Sequence, residues 1–316
     1  MRLRTEVLMN IREYVVGVDG SVPARAAIRW AISNARERGA TVTLVHVADD
    51  EWGAVGTRLI GEADAGGREL LDRELGGALP TAAGDVPIVA ELRTGSPMVL
   101  LASYSRPDSM LVVGTHKTGF HYGRAFGSRS LQLVNLATGP VAIIPETESR
   151  LRHGVVVGVD DTPAGGAAVD LAADLACDHH CELVAVRSST ATHRFDPDRD
   201  DELRDWQVRR DDDARRLLVE AVARARARQP GITIRSRVIR RPPGTALNEV
   251  ARAAELLIIG DSRRDKPQQG GLGSVAYDVL LNVSSPTIVV HAPETEPSSR
   301  EASAAHETQG ESHVAR

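Results

Sequence analysis

Two stretches of this 316-residue chain carry residue types and spacings that could hold an anion. Gly114 to Ser128 reads GTHKTGFHYGRAFGS, and Gly260 to Ser274 reads GDSRRDKPQQGGLGS. Each follows a short apolar run and precedes a helix-like segment. A strand that runs through glycines into a helix aims unpaired amide N–H groups at one place, and the helix dipole adds partial positive charge there, which suits phosphate. Gly114 and Gly260 would let backbone approach a ligand, Gly127 and Gly273 would permit tight entry to the helix, and Ser128 and Ser274 each offer a hydroxyl. His116, Lys117 and Arg124 add charge to the first stretch; the second sets Arg263, Arg264 and Lys266 against Asp261 and Asp265. Glycine loops also serve as plain turns, so the stretches alone leave both readings open.

A second set of candidates ends the early strands of each half. Asp19 and Asp160 close YVVGVD and VVVGVD, while Val47 and Ser188 close TLVHV and LVAVRS. A carboxylate at such a strand end can accept hydrogen bonds from a base or sugar, or it can cap the helix that follows. CDHHC (Cys177 to Cys181) has the residue types of a zinc site. Its two cysteines fall at a helix end and a strand start, so their side chains are expected to diverge, and no metal site is expected. One cysteine pair does not make a disulfide framework either.

The elements that must position these residues are written twice. YVVGVDGSVPARAAIRWAISNARERGATVTLVHV registers without a gap on GVVVGVDDTPAGGAAVDLAADLACDHHCELVAVRS, with Gly17 opposite Gly158, Asp19 opposite Asp160 and His46 opposite Arg187. Each unit reads as strands alternating with helices, which implies a parallel sheet covered on both faces. In the first unit Ser21 is placed to cap a helix whose apolar stripe is Ala26, Ala27, Trp30, Ala31 and Ala35, and Gly39 to end it. The strands are YVVGV, TVTLVHV, PIVAELRTG, SMLVVG and PVAIIP, matched later by GVVVGV, CELVAV, TIRSRVI, ELLIIG and PTIVVH. The segment around DELRDWQVRRDDDARRLLVEAVARARAR reads as a long helix with a solvated charged face. We expect domains at 12–146 and 153–293, a linker over 146–153, and a disordered tail at 294–316, where apolar residues are too few to offset ordering entropy.

Composition narrows the function. Aromatics are 3%, too few for a base-stacking nucleic-acid binder, and the formal net charge of −5 supplies no global field for nucleic acid or an anionic membrane. Neither partner is expected. With no long apolar run and no signal-peptide core, a cytoplasmic location is expected. No triad order, nucleophile elbow or Walker lysine is present, so dedicated catalysis is not expected, though slow nucleotide hydrolysis stays open. His46 reads as a satisfied rim histidine.

On these residues the chain resembles a tandem universal stress protein from Tyr14 to His291. The family's nucleotide-binding pattern is Gly, two residues, Gly, nine residues, Gly, then Ser or Thr. Gly114, Gly127 and Ser128 fit it, as do Gly260, Gly273 and Ser274; Lys117 and Arg263 stand where the middle glycine would be. The resemblance implies an α/β fold of two tandem Rossmann-like, adenine nucleotide α-hydrolase-like domains, each a five-stranded, mainly parallel sheet flanked by helices. It implies ATP or a related adenine nucleotide, with or without magnesium, as ligand, and a regulatory role in stress response. Adenine would be held by Asp19 and Val47, ribose and phosphates by Gly114, Gly127 and Ser128; Lys117 and Arg263 either meet phosphate through their cationic side chains or obstruct the approach that a glycine would allow. The second set would be Asp160, Ser188, Gly260, Arg263, Gly273 and Ser274, carrying over less well because Arg187 replaces the histidine. It further implies pairing of last strands, PVAIIP with PTIVVH, in an internal pseudo-dimer or a homodimer. The alternative is a nucleotide-free scaffold with degenerate loops.

Overall fold

The structure is a computed structural model and describes residues 10–49, 57–115, 120–121, 124–125, 128–146, 152–189, 200–261 and 271–292. The expected tail and most of the linker lie outside these. The first half runs β1 (Glu13–Gly17), α1 (Val22–Arg38), β2 (Thr41–Ala48), α2 (Thr57–Ala82), β3 (Ile88–Thr94), α3 (Pro97–Ala102), β4 (Ser109–Thr115), β5 (Phe120–His121), β6 (Arg124–Ala125), α4 (Ser128–Leu136) and β7 (Val141–Pro145). The second runs β8 (Val155–Gly158), α5 (Pro163–Asp178), β9 (Leu183–Ser188), α6 (Asp200–Arg228), β10 (Ile234–Ile239), α7 (Pro243–Ala251), β11 (Leu256–Asp261), α8 (Ser274–Leu280) and β12 (Thr287–His291).

Local signals set several of these boundaries. Ser21 accepts a hydrogen bond from the Ala24 amide at 3.2 Å, Pro23 sits in the opening turn, and Gly39 ends α1 in the left-handed region at φ 61°. Thr162 caps α5 in the same way, accepting from the Gly165 amide at 3.0 Å. The cap of α1 is therefore Ser21 and not Asp19. Within the first glycine stretch β5 and β6 pair as a short antiparallel ribbon, Phe120 opposite Ala125 and His121 opposite Arg124.

Ten strands form one sheet in the order β10-β9-β8-β11-β12-β7-β4-β1-β2-β3. Within each half the five strands are parallel, and the halves join where β12 meets β7 antiparallel, Thr287 opposite Ile143 and Val289 opposite Val141. The expected pairing of last strands is thus made inside one chain. Because strand residues alternate faces, two cores result. Tyr14, Val16, Leu44 and Ile258 pack under α1, α2, α5 and α6. Val15, Val45, Ile143 and Ile259 pack with α3, α4, α7 and α8. Each core runs across both halves. In both halves the strand order reverses between the first strand and its later neighbour, β1 beside β4 and β8 beside β11, which opens a crevice at the carboxyl ends of the strands.

Candidate functional site: two strand-end crevices

The first crevice has a volume of about 540 Å³ and lies over the ends of β1, β2 and β4. Its floor is apolar: Gly17, Val45 and Val113 from the strands face Met98 and Leu101 of α3. Its rim carries Asp19, Asp49 and Arg129, the last from the first turn of α4. This size and mixture, an apolar slot with a few placed polar groups, fits a small-molecule site.

The main chain of β2 supplies one of those polar groups. Val45 O accepts the Val18 amide at 2.9 Å, so Val45 turns its peptide groups toward β1. Peptide direction alternates along a strand, so Val47 turns its N–H and C=O the same way. By then β1 has left the sheet through Asp19 and Gly20, which turns the chain at φ 77°. Val47 therefore presents a donor and an acceptor side by side to the crevice, above the apolar slot.

His46 braces this edge. Its Nδ1 lies 2.7 Å from Val18 O, and because a carbonyl only accepts, the proton is on Nδ1. Helix α2 crosses closely over the ring: a Cβ on Gly67 would lie 2.7 Å from Leu92 Cδ1 and 3.1 Å from His46 Cδ2. The Gly66–Gly67 pair inside a helical stretch was the sequence signal for this approach. Asp19 is exposed, with Oδ1 accepting the Ser21 amide at 3.0 Å. Gly114 is tightly constrained: a Cβ there would fall 2.2 Å from the Pro23 carbonyl carbon and 2.5 Å from the Ala24 nitrogen. The close backbone approach it permits is that of α1 to β4, where the sequence suggested approach to a ligand.

The second crevice, about 460 Å³, repeats the plan over β8, β9 and β11. Asp160, Ser188, Gly260, Gly273 and Ser274 all line it. Arg187, in place of His46, donates through Nη1 to Val159 O at 2.8 Å, so the guanidinium makes the bond that the imidazole makes in the first half. The other groups are differently engaged. Asp160 Oδ1 accepts from the Thr162 amide at 3.0 Å and its hydroxyl at 2.6 Å. Ser188 Oγ donates to Arg241 O at 2.5 Å. Gly260 repeats the packing role of Gly114, since a Cβ would lie 2.6 Å from the Gly165 nitrogen.

The structure thus gathers Asp19, Val47 and Gly114 on one crevice and Asp160, Ser188, Gly260, Gly273 and Ser274 on the other. Ser128 opens α4. Lys117, Gly127 and Arg263 lie outside the described residues. Sequence reasoning missed Met98, Leu101 and Arg129; only the Arg-Ser pair after the glycine stretch, opposite Val275-Ala276 in the repeat, marked Arg129 as unusual. Cys177 and Cys181 are both unbridged, and burial pushes the Cys181 thiol above its ordinary value. Among the described residues no group of three or more His, Cys, Asp or Glu converges as a metal site would require, and no helix is long and apolar enough to cross a membrane.

Comparison with known proteins bears on the whole chain. The profile of the universal stress protein family matches residues 10–145 and again residues 152–291. A universal stress protein of Mycobacterium tuberculosis is 29% identical over 305 residues, covering 89% of this chain and 95% of that protein. One from Mycolicibacterium smegmatis is 28% identical over 297 residues, covering 90% and 99%. Among solved structures, a universal stress protein from Archaeoglobus fulgidus superposes with a TM-score of 0.63 at 16% identity, over 90% of this chain and 97% of that one.

Proposed function

The chain belongs to the universal stress protein family, and from that premise we propose that it is a stress-response regulator whose first half binds ATP or a related adenine nucleotide, with or without magnesium. The observation that carries this is the Val47 edge: a main-chain donor and acceptor side by side over an apolar slot between β2 and α3, which is the complement of a purine's hydrogen-bonding edge and flat face. Asp19, exposed at the crevice, accepts hydrogen bonds from the base or sugar in this reading. Arg129 in the first turn of α4 meets the phosphates, where a guanidinium gives charge-assisted bonds, and Gly114, Gly127 and Ser128 take the ribose and phosphates as the family's loop does. Lys117 takes part through its side chain. The domains are residues 12–146 and 153–293, the protein works in the cytoplasm, and its partners are neither nucleic acid nor membrane.

The role is binding and not turnover. The rim imidazole, His46, is tied through Nδ1 to Val18 O, and its ring is covered by α2 at Gly67, so it serves to hold the β2 edge.

The test is thermal. At a free ATP concentration a hundredfold above Kd, one site adds about 2.7 kcal/mol of stability and raises Tm. Asp19→Ala combined with Gly127→Glu should abolish the rise, as should Met98→Trp, which fills the slot. A wild-type melt unmoved by millimolar ATP with magnesium defeats the proposal. The nucleotide-free scaffold is favoured by the β7–β12 junction, which needs no ligand to hold the halves together. Chain purified from cells separates the two readings: a co-eluting adenine nucleotide belongs only to the first.

A further inference from the structure

The two crevices share a plan and differ at two positions that bear on what each can hold. Counterparts are fixed by contact. A Cβ on Gly114 would strike Pro23 and Ala24, and one on Gly260 would strike Ala164 and Gly165, so Ala24 and Gly165 are equivalent. Thr115 lies opposite Pro145 where β4 meets β7, and Asp261 lies opposite His291 where β11 meets β12, so Thr115 and Asp261 are equivalent.

Resting on the reading of the first crevice given above, we propose that Gly165 and Asp261 keep adenine nucleotide out of the second crevice, so that the chain carries one nucleotide and not two. At Gly165 a Cβ would lie 1.9 Å from Asp160 Oδ1: the carboxylate occupies the volume that the Ala24 methyl fills in the first half. There it is held by the Thr162 amide and hydroxyl, and Thr162 in turn caps α5 through the Gly165 amide. The strand-end carboxylate of the second half is therefore spent on its own helix. In the first half Ala24 blocks that seat, and Asp19, though it accepts the Ser21 amide at 3.0 Å as Asp160 accepts that of Thr162, stays exposed at the crevice.

Asp261 acts from behind the crevice wall, next to the lining residues Gly260 and Gly273. It is buried, with Oδ1 3.3 Å from the Gly273 amide and Oδ2 3.5 Å from His291 Nδ1. Gly273 and Ser274 line the crevice, so the amide that a phosphate would approach already faces a carboxylate. Away from bulk water like charges repel strongly, and an incoming polyphosphate meets that charge. Among the described residues, Asp161 on the same rim adds to it, as does Asp213, which pairs with Arg216 at 3.6 Å, against Arg187, which holds Val159 O, and Arg210, which lies over the Trp206 ring.

Calorimetric titration of the full chain with ATP tests this. The wild type should take up one nucleotide per chain, and Asp160→Ala should leave that stoichiometry unchanged. Gly165→Ala with Asp261→Thr, which copies the first half, should add a second site. Ala24→Gly with Thr115→Asp should weaken the first site by about tenfold or more. Two nucleotides on the wild type, a loss on Asp160→Ala, or no added site in a doubly substituted chain that still melts cooperatively would each overturn the proposal. If that double variant does not fold, Asp261→Asn alone, which keeps the shape and removes the charge, must show the gain in weaker form, and its absence counts against. Nucleotide on the double variant but none on the wild type would sink the first-crevice reading and leave this one standing.

Discussion

At the residue scale, the glycines that make the sequence look like a phosphate loop have a second duty. Gly114 and Gly260 let the first turns of α1 and α5 lie directly on β4 and β11, with backbone atoms 2.2 Å and 2.6 Å from where a Cβ would stand. Backbone cannot rotate aside as a side chain end can, so Gly114→Ala must lift α1 off the sheet. We expect a loss of about 3 kcal/mol or more, read as a fall in the urea midpoint; an unchanged midpoint would show that α1 is not seated as described. Arg187 shows the converse. Its replacement of a histidine looked in sequence like decay of the second site, yet its guanidinium reaches the equivalent carbonyl. The proposed difference between the crevices rests instead on Gly165, outside the glycine pattern, and on Asp261, a spacer residue inside it.

At the element scale, the long charged helix α6 is only partly the solvated face that its composition suggested. Arg215 and Arg216 do pair along the exposed surface with Asp212 and Glu220. Arg224 and Arg228, however, reach across to Asp170 and Asp174 of α5, Nε to Oδ1 at 2.7 and 2.9 Å, and clamp the two helices together. Asp174 is buried and also receives Gln229, so Asp174→Ala should cost about 2 kcal/mol in denaturant unfolding. Further along α6, Asp211 is buried between Arg240, whose Nε donates at 3.0 Å, and Gln207 at 2.9 Å. Arg240, then Ser189 and Gln207, hold its carboxyl well below the usual aspartate range. A carboxyl depressed by folding adds stability above its unfolded pKa and loses it as pH falls. The stability gap between wild type and Asp211→Asn should therefore be full at pH 6 to 7 and close through acid pH; a gap independent of pH would refute the linkage.

At the scale of the whole molecule, the halves share one sheet and two cores, and they are expected to unfold together. The β7–β12 ladder continues the sheet across them, both cores pass through the junction, and α1 grips α5 beyond it. Arg38 meets Asp178 at 2.7 Å, and His179 Nε2 meets Oδ1 of the buried Asn34 at 3.0 Å, the amide being oriented by its own bond to Trp30 O. His179 Nδ1 lies 2.9 Å from Glu255 Oε1 and holds that carboxyl below its ordinary range. Ile288→Arg would place a charge in the middle of the junction, where the side chain is fully buried, and should cost about 3 to 5 kcal/mol. Hydrogen exchange should then speed up in β7 as well as β12; protection lost in the second half alone would show that the halves fold independently. With β7 and β12 occupied by each other, β3 and β10 are the outer edges of the sheet.

The sequence by itself determined the duplication, the order of strands and helices, the caps at Ser21 and Gly39, and the rim on which Asp19, Val47 and Gly114 meet. These follow from local periodicity and from glycine and capping chemistry, and the handedness of parallel crossovers turns such a list into a sheet with few alternatives. Tertiary structure alone decided that Gly114 serves α1, that Met98, Leu101 and Arg129 complete the first crevice, and that Asp160 and Asp261 are taken up by their own half. Each of those outcomes depends on ångström-scale distances between segments that the chain brings together only after folding, and no local pattern encodes a distance of that kind.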